Sequence, residues 1–245
     1  MEKRSDGGTT AVNIREIFAP VKRAEYLFWV IVLAAMVGLI FPGSRNFFMA
    51  KFVAAGTGPR LAAWQSILWH HGATLLIFTL PLLLMRPLGI FEKGLSLFKP
   101  GDWRWGITWA LIGCAVVTIP TWISSSDPEF IREYPLAMMA FDSASIYLLF
   151  MFSYLLYYIG WEAFFRGFIG FGMCGIGYTP FLALMVQVAL STIIHIGKPH
   201  MELISAIPGG IFMGILAYRS RSLLWPLLFH FYVGTINTLF CWMHQ

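Results

Sequence analysis

Charge is what this sequence has least of. Only 12% of its 245 residues are Asp, Glu, Lys or Arg, and just 12 are acidic. A soluble domain carries about 25% charged and about 45–50% apolar residues. Here 58% are hydrophobic and the mean hydropathy is +0.70. No aqueous core of this length hides so much apolar surface, so a soluble enzyme and a nucleic-acid module are excluded. Cysteine is scarce as well. Cys114, Cys174 and Cys241 lie in or beside apolar stretches without C-x-x-C spacing, which argues against a disulfide framework or a thiolate metal site. The first 25 residues lack the apolar core of a cleavable signal, so the first span is expected to serve as its own insertion signal.

Long apolar runs are what the sequence has in abundance. A bilayer-spanning helix takes about 20 predominantly apolar residues. Runs of this kind cover Glu25–Phe41, Trp64–Met85, Gly106–Ile123, Ser143 towards Met173, Tyr178–Ile196, Leu203–Tyr218 and Leu223–Met243. They are continuous rather than alternating, which excludes a β-barrel porin. The expected fold class is an all-α polytopic membrane protein of about 7–8 transmembrane helices.

Residues 1–24 read as a cytoplasmic or interfacial segment, with an amphipathic piece at Val12–Phe18. Residues 25–245 read as one transmembrane domain. Asn46–Ala55 is expected at the interface; within the acidic stretch Ser124–Asp142, the segment Asp127–Glu133 is expected to form a solvated surface helix, with a substrate-facing role as the alternative. A net charge of +5 and a pI near 9.2 would suggest nucleic acid in a soluble chain. In a membrane protein, Lys and Arg in short loops set orientation instead. With the N-terminus inside, the inner segments hold most of the basic residues, among them Lys3, Arg15, Arg86, Arg104 and Arg219. The outer ones hold Arg45, Lys51, Arg60, Arg132 and Lys198. The N-terminus is therefore expected in the cytoplasm.

Ionisable residues inside apolar runs are functional candidates, because each costs about 2.5–3.5 kcal/mol to insert. Four stand out: Glu162, Arg166, His195 and His230, with Glu202 just past the fifth run. Glu162 and Arg166, four apart, share a helix face and can pair; a purely structural ion pair is the competing reading. Two imidazoles and a carboxylate also make a catalytic zinc set with an open water position. There is no H-E-x-x-H, so a conventional zincin is not supported.

These residues resemble a known family. Trp161-Glu162-Ala163-Phe164-Phe165-Arg166-Gly167-Phe168 resembles the E-E-x-x-x-R segment of the CPBP family, which groups CAAX-processing proteases, bacteriocin-processing proteins and bacterial relatives. His195 resembles the histidine of its second motif, F-x-x-x-H, and His230 that of its third, H-x-x-x-N. The order and the gaps agree. The motif-bearing core is placed at about residues 143–243, and the resemblance extends over roughly Leu95–Phe240.

The resemblance implies an intramembrane, zinc-dependent endopeptidase acting on a membrane-associated or processed peptide. Zinc is then held by His195 and His230 with Glu162, and Glu162 serves as base for the zinc-bound water. Arg166 orients Glu162, and Glu202 and Asn237 are auxiliary. It also implies an integral, multi-pass protein of the bacterial inner membrane whose partners are lipid and a peptide or protein substrate.

Three positions depart from the motifs. Trp161 stands where the first glutamate is expected, Ser191 where the second motif has phenylalanine, and Gly234 where the third has asparagine. Glu202, seven residues after His195 and two helical turns away, is a candidate for the missing carboxylate role. Asn237 is a candidate for the lost asparagine. The departures leave a second reading open, a non-proteolytic binding or immunity module. A small transporter is a third, weakened by the lack of duplicated halves.

Helix-length arithmetic puts His195 about 25 Å along its run and His230 about 10 Å along its own. A shared site therefore requires the fifth helix to start deeper, to be tilted, or to be preceded by a re-entrant piece, for which the glycines of Gly167–Gly177 make room. His70 and His71 are expected to hydrogen-bond between helices, His200 to lie in a loop, and His244 to be solvated. Gly209, Gly210 and Gly214 are expected to form a small-residue packing face.

Overall fold

The computed structural model describes residues 23–84, 87, 90 and 99–245. The N-terminal piece Val12–Phe18 and most of the basic loop after Met85 lie outside the described residues.

Every regular element among the described residues is helical. They are α1 (Arg23–Ile40), α2 (Arg45–Lys51), α3 (Pro59–Leu84), α4 (Trp103–Ser124), α5 (Pro128–Glu133) and a 3₁₀ turn at Met138–Phe141. Then come α6 (Ala144–Glu162), a π-helical stretch (Ala163–Phe171), α7 (Gly172–Gly175), α8 (Pro180–Ile194), α9 (His200–Ser220) and α10 (Leu224–Met243). The protein is an all-α polytopic membrane protein. Helices with apolar residues on every side suit a lipid solvent, because each backbone polar group is satisfied within its own helix.

Among the described residues, five segments are long and apolar enough to cross a bilayer: α3, α4, the continuous Ala144–Gly175 unit, α9 and α10. α1 and α2 form a sixth only as a pair bent by 55°. The fifth expected run is shorter than its apolar composition suggested. α8 has 15 residues, about 22 Å at 1.5 Å per residue, short of the ~30 Å hydrocarbon core. Asn46–Ala55, expected at the interface, contributes to α2, whose N-cap Ser44 accepts a hydrogen bond from the Phe47 N–H.

The irregular piece expected at Gly167–Gly177 takes the form of a π-helical stretch, with the turn itself only at its end, at Ile176–Gly177. The chain passes from α-helix into nine π-helical residues without leaving the helix, and only Gly170 of that stretch is not buried. Phenylalanines hold it. Phe164 stacks on Phe78 at 4.2 Å, Phe168 on Phe28 at 4.8 Å, and Phe165 meets Phe78 edge-on. π-Helical segments are rare and gather at functional sites.

Glycines decide where helices cross. A Cβ on Gly160 would lie 2.6 Å from the Thr74 carbonyl oxygen of α3, so α6 and α3 meet backbone to backbone. Gly210 and Gly214 face Val188 and Leu184 of α8, as expected of a packing face, whereas Gly209 borders open space in the main cavity.

The depth mismatch is resolved by unequal turns. Trp161 stands about 21 Å up one arm of the α7–α8 hairpin and His195 about 22 Å up the other. The α9–α10 turn does not reach that hairpin. Its Leu223 packs against Gly167, partway up the helix. Counted from that turn, His230 climbs about 10 Å and reaches the level of Glu162.

Candidate active site

Glu162 ends α6 and Arg166 lies in the π-helical stretch; each side chain is 1% exposed. Arg166 Nη1 donates to Glu162 Oε1 at 3.2 Å, and His230 Nδ1 donates to the same oxygen at 2.6 Å. The four-residue spacing thus pairs as expected, and α10 brings the third motif onto the first. A carboxylate only accepts, so the hydrogen of His230 sits on Nδ1 and Nε2 keeps its lone pair. His195 follows the same pattern. It caps α8, and its Nδ1 donates to the Ser191 carbonyl at 2.7 Å, which again leaves Nε2 as an acceptor.

Both histidines line an internal cavity of about 630 Å³, together with Trp161, Arg166, Ser191, Glu202, Gly234 and Asn237. Glu162 lies behind that wall. Trp161 takes the front, with its ring 5.7 Å from His195 and 6.2 Å from His230, edge-on to both. The residue in the first glutamate's place is therefore the one that reaches the cavity. The glutamate that remains is turned to Arg166 and His230.

This arrangement corrects several expectations. Glu162, His195 and His230 do not assemble as three metal ligands. Glu162 Oε1 is committed to two donors, and its Oε2 is buried without a partner. Among the described residues no group of three or more His, Cys, Asp or Glu side chains could hold a metal ion. The donor set left facing the cavity is two imidazoles, short of the three protein ligands of a catalytic zinc, so no step is routed through zinc. Glu162 is likewise not placed as a base for a cavity water. A carboxylate that accepts from a ring Nδ1–H acts on the imidazole, fixing its tautomer and orientation.

Glu202 does not share a helix with His195, because residues 195–199 form the turn between α8 and α9. Its two oxygens each lie 2.9 Å from the Tyr134 hydroxyl. Burial, followed by the Glu202 carboxylate, pushes that phenol well above its ordinary pKa, so Tyr134 stays a donor. Asn237 does reach the cavity wall, and its Oδ1 accepts a weak bond from Cys241 Sγ at 3.8 Å.

The missing asparagine has a steric explanation. A Cβ at position 234 would collide with the Tyr158 hydroxyl and lie 2.9 Å from that of Tyr154. Tyr158 donates to Tyr154 at 2.8 Å, and its ring lies 4.4 Å from the His230 ring. Two phenols thus occupy the space over Gly234. Tyr158, four residues before Glu162, shares its helix face, a signal the sequence contained.

Other histidines divide. His70 Nδ1 donates to the Gly43 carbonyl at 2.8 Å and His71 Nδ1 pairs with Ser153 Oγ at 3.0 Å, both between helices as expected. His200 is exposed and meets Glu129 through its backbone N–H at 2.9 Å and its ring at 2.7 Å. Those two bonds hold the Glu129 carboxyl below the usual range. His244, expected to be solvated, instead bonds Ser125 Oγ at 3.0 Å and packs on Trp122.

The fold and site define a class: a polytopic membrane protein with a largely apolar, histidine-lined cavity among its helices. Residues 143–236 match the family described as type II CAAX prenyl endopeptidase, Rce1-like. The matched segment runs from the N-cap of α6 into α10 and supports the resemblance of its motifs to the CAAX-protease (CPBP) family. No curated protein and no solved structure matches the chain.

Proposed function

We propose that the protein is a CAAX-type intramembrane peptidase that cleaves a membrane-associated peptide within the cavity, with His230 as the general base. The observation that carries this is the Glu162–His230 bond at the cavity wall. Nε2 of His230 takes a proton from water as the oxygen attacks the scissile carbonyl carbon. The imidazolium is stabilised by Glu162 and returns the proton to the leaving nitrogen as the C–N bond breaks. The Asn237 amide, which lines the cavity, is a candidate donor for the oxyanion, and His195 holds the water or the leaving group. Arg166 keeps Glu162 aimed. The family's name points to a prenylated cysteine peptide as the first substrate to try, and the bacterial cytoplasmic membrane is the proposed location.

The test is cleavage of a farnesyl-cysteine tetrapeptide by purified protein in nanodiscs, followed by mass spectrometry. His230→Gln is expected to abolish turnover. Glu162→Gln is expected to lower kcat by about 10²–10⁴ with little change in KM, as loss of an orienting carboxylate does. Undiminished cleavage by folded His230→Gln would overturn the assignment.

Trp161 favours a second reading. It fills the place between the imidazoles where the family motif has a carboxylate, and a protein that holds a peptide without cutting it would leave that place apolar. Peptide binding with no product in the same assay decides for this reading.

A further inference from the structure

We propose that Arg45 is the anchor for the free C-terminal carboxylate of the peptide that enters the cavity, an assignment that rests on the peptide-binding reading above. Three basic side chains line the cavity: Arg45, Arg166 and Lys198. Arg166 is paired with Glu162 and Lys198 with Glu133. Among the described residues, Arg45 has no carboxylate within ion-pair distance.

Arg45 has five N–H donors in a rigid fork. Among the described residues it bonds only through Nε to Ser66 Oγ and a terminal nitrogen to the Leu136 carbonyl, both long at 3.4 Å. Neither acceptor is charged. A partly buried guanidinium without a counter-ion is costly, and its planar fork fits a carboxylate with two parallel bonds. The residue is built in place. It opens α2 directly after the Ser44 cap, and the neighbouring corner is pinned by His70 on the Gly43 carbonyl.

The distance to the imidazoles suits a short peptide tail. From the α3 face on which Arg45 lies, rings lead His71 to Tyr157 at 5.3 Å, Tyr157 to Trp161 at 5.6 Å and Trp161 to His195 at 5.7 Å. At about 3.3 Å per extended residue, the stretch from His71 to His195 takes about five residues, and the step from Arg45 along α3 to His71 adds to it. Arg45 lies outside the family-matched segment, which begins at residue 143.

The test is equilibrium binding in phosphatidylcholine nanodiscs, by fluorescence anisotropy, of a labelled farnesyl-cysteine tetrapeptide as free acid and as C-terminal amide. Wild type is expected to bind the acid at least tenfold more tightly. Arg45→Gln is expected to bind both forms alike, and Arg45→Lys to retain part of the preference. Equal binding by wild type, binding of neither form, or a preference that survives Arg45→Gln overturns the proposal. So does loss of the preference when phosphatidylglycerol replaces phosphatidylcholine, which would make a lipid headgroup the occupant. Cleavage is scored separately. Acid preference without cleavage supports the anchor and removes the hydrolytic reading; cleavage without preference does the reverse.

Discussion

At the scale of single residues, the site is organised by what Glu162 is committed to. One buried oxygen accepts from both Arg166 and His230, so removing either donor strands a charge. Arg166→Met is expected to destabilise the folded state by about 3–5 kcal/mol, the cost of breaking a buried pair. Glu162→Gln combined with Arg166→Met is expected to recover most of it, as thermal unfolding in detergent would register. If the single variant unfolds no earlier than wild type, the pair is not the structural centre described here. Gly234 poses the complementary problem. Gly234→Ala puts a methyl into the Tyr158 hydroxyl, and overpacking costs about 1–3 kcal/mol. Tyr158→Phe in the same chain is expected to restore part of the lost melting temperature, because it removes the hydroxyl while the Tyr158 ring carbon at 2.7 Å and the Tyr154 hydroxyl at 2.9 Å remain. A clash with backbone would not respond to that second change.

At the scale of elements, α5 is the piece most dependent on charge. It is tied to the start of α9 by Glu129 with His200, by Lys198 with Glu133, and by Tyr134 with Glu202. Glu129 titrates below its ordinary value of 4.5 because His200 donates to it. A depressed carboxylate contributes stability that is present above its ordinary pKa and is lost as pH falls through the lower folded value. Amide-exchange protection of residues 128–133, corrected for intrinsic rates, is therefore expected to be constant above about pH 5 and to decline below it. Glu129→Gln should show the lower protection at every pH. Protection that does not change with pH would mean the Glu129 contact contributes nothing to holding α5.

At the scale of the whole molecule, the cavity is made by helices of unequal length. α8 stops short of a full span, and the α9–α10 turn stops at Gly167, which leaves His195 and His230 facing one space. Two imidazoles alone are a weak metal site, and the carboxylate that would complete a zinc set lies behind the wall. Purified protein is accordingly expected to carry well under one equivalent of zinc by elemental mass spectrometry. A chelator is expected to leave peptide turnover unchanged. Stoichiometric zinc lost in both His195→Ala and His230→Ala would show that the three residues rearrange into a ligand set.

The sequence by itself determined the membrane class, the helical runs, the Glu162–Arg166 pair and the order of the motifs, because these follow from composition and from spacing within one helix. It also named His195 and His230, since an imidazole in an apolar run stands out without any knowledge of its neighbours. Roles were another matter. Whether Trp161 or Glu162 faces the cavity depends on how α6 is rotated against α3, and the backbone contact at Gly160 sets that rotation. Whether His195 and Glu202 share a helix depends on the turn at 195–199. Arg45 gave no signal, since its significance lies in the absence of a carboxylate partner among the described residues, and partners of one side chain come from helices far apart in the chain. Local interactions are written along the sequence; which side chains meet across the cavity is decided by packing, and only the tertiary structure holds that.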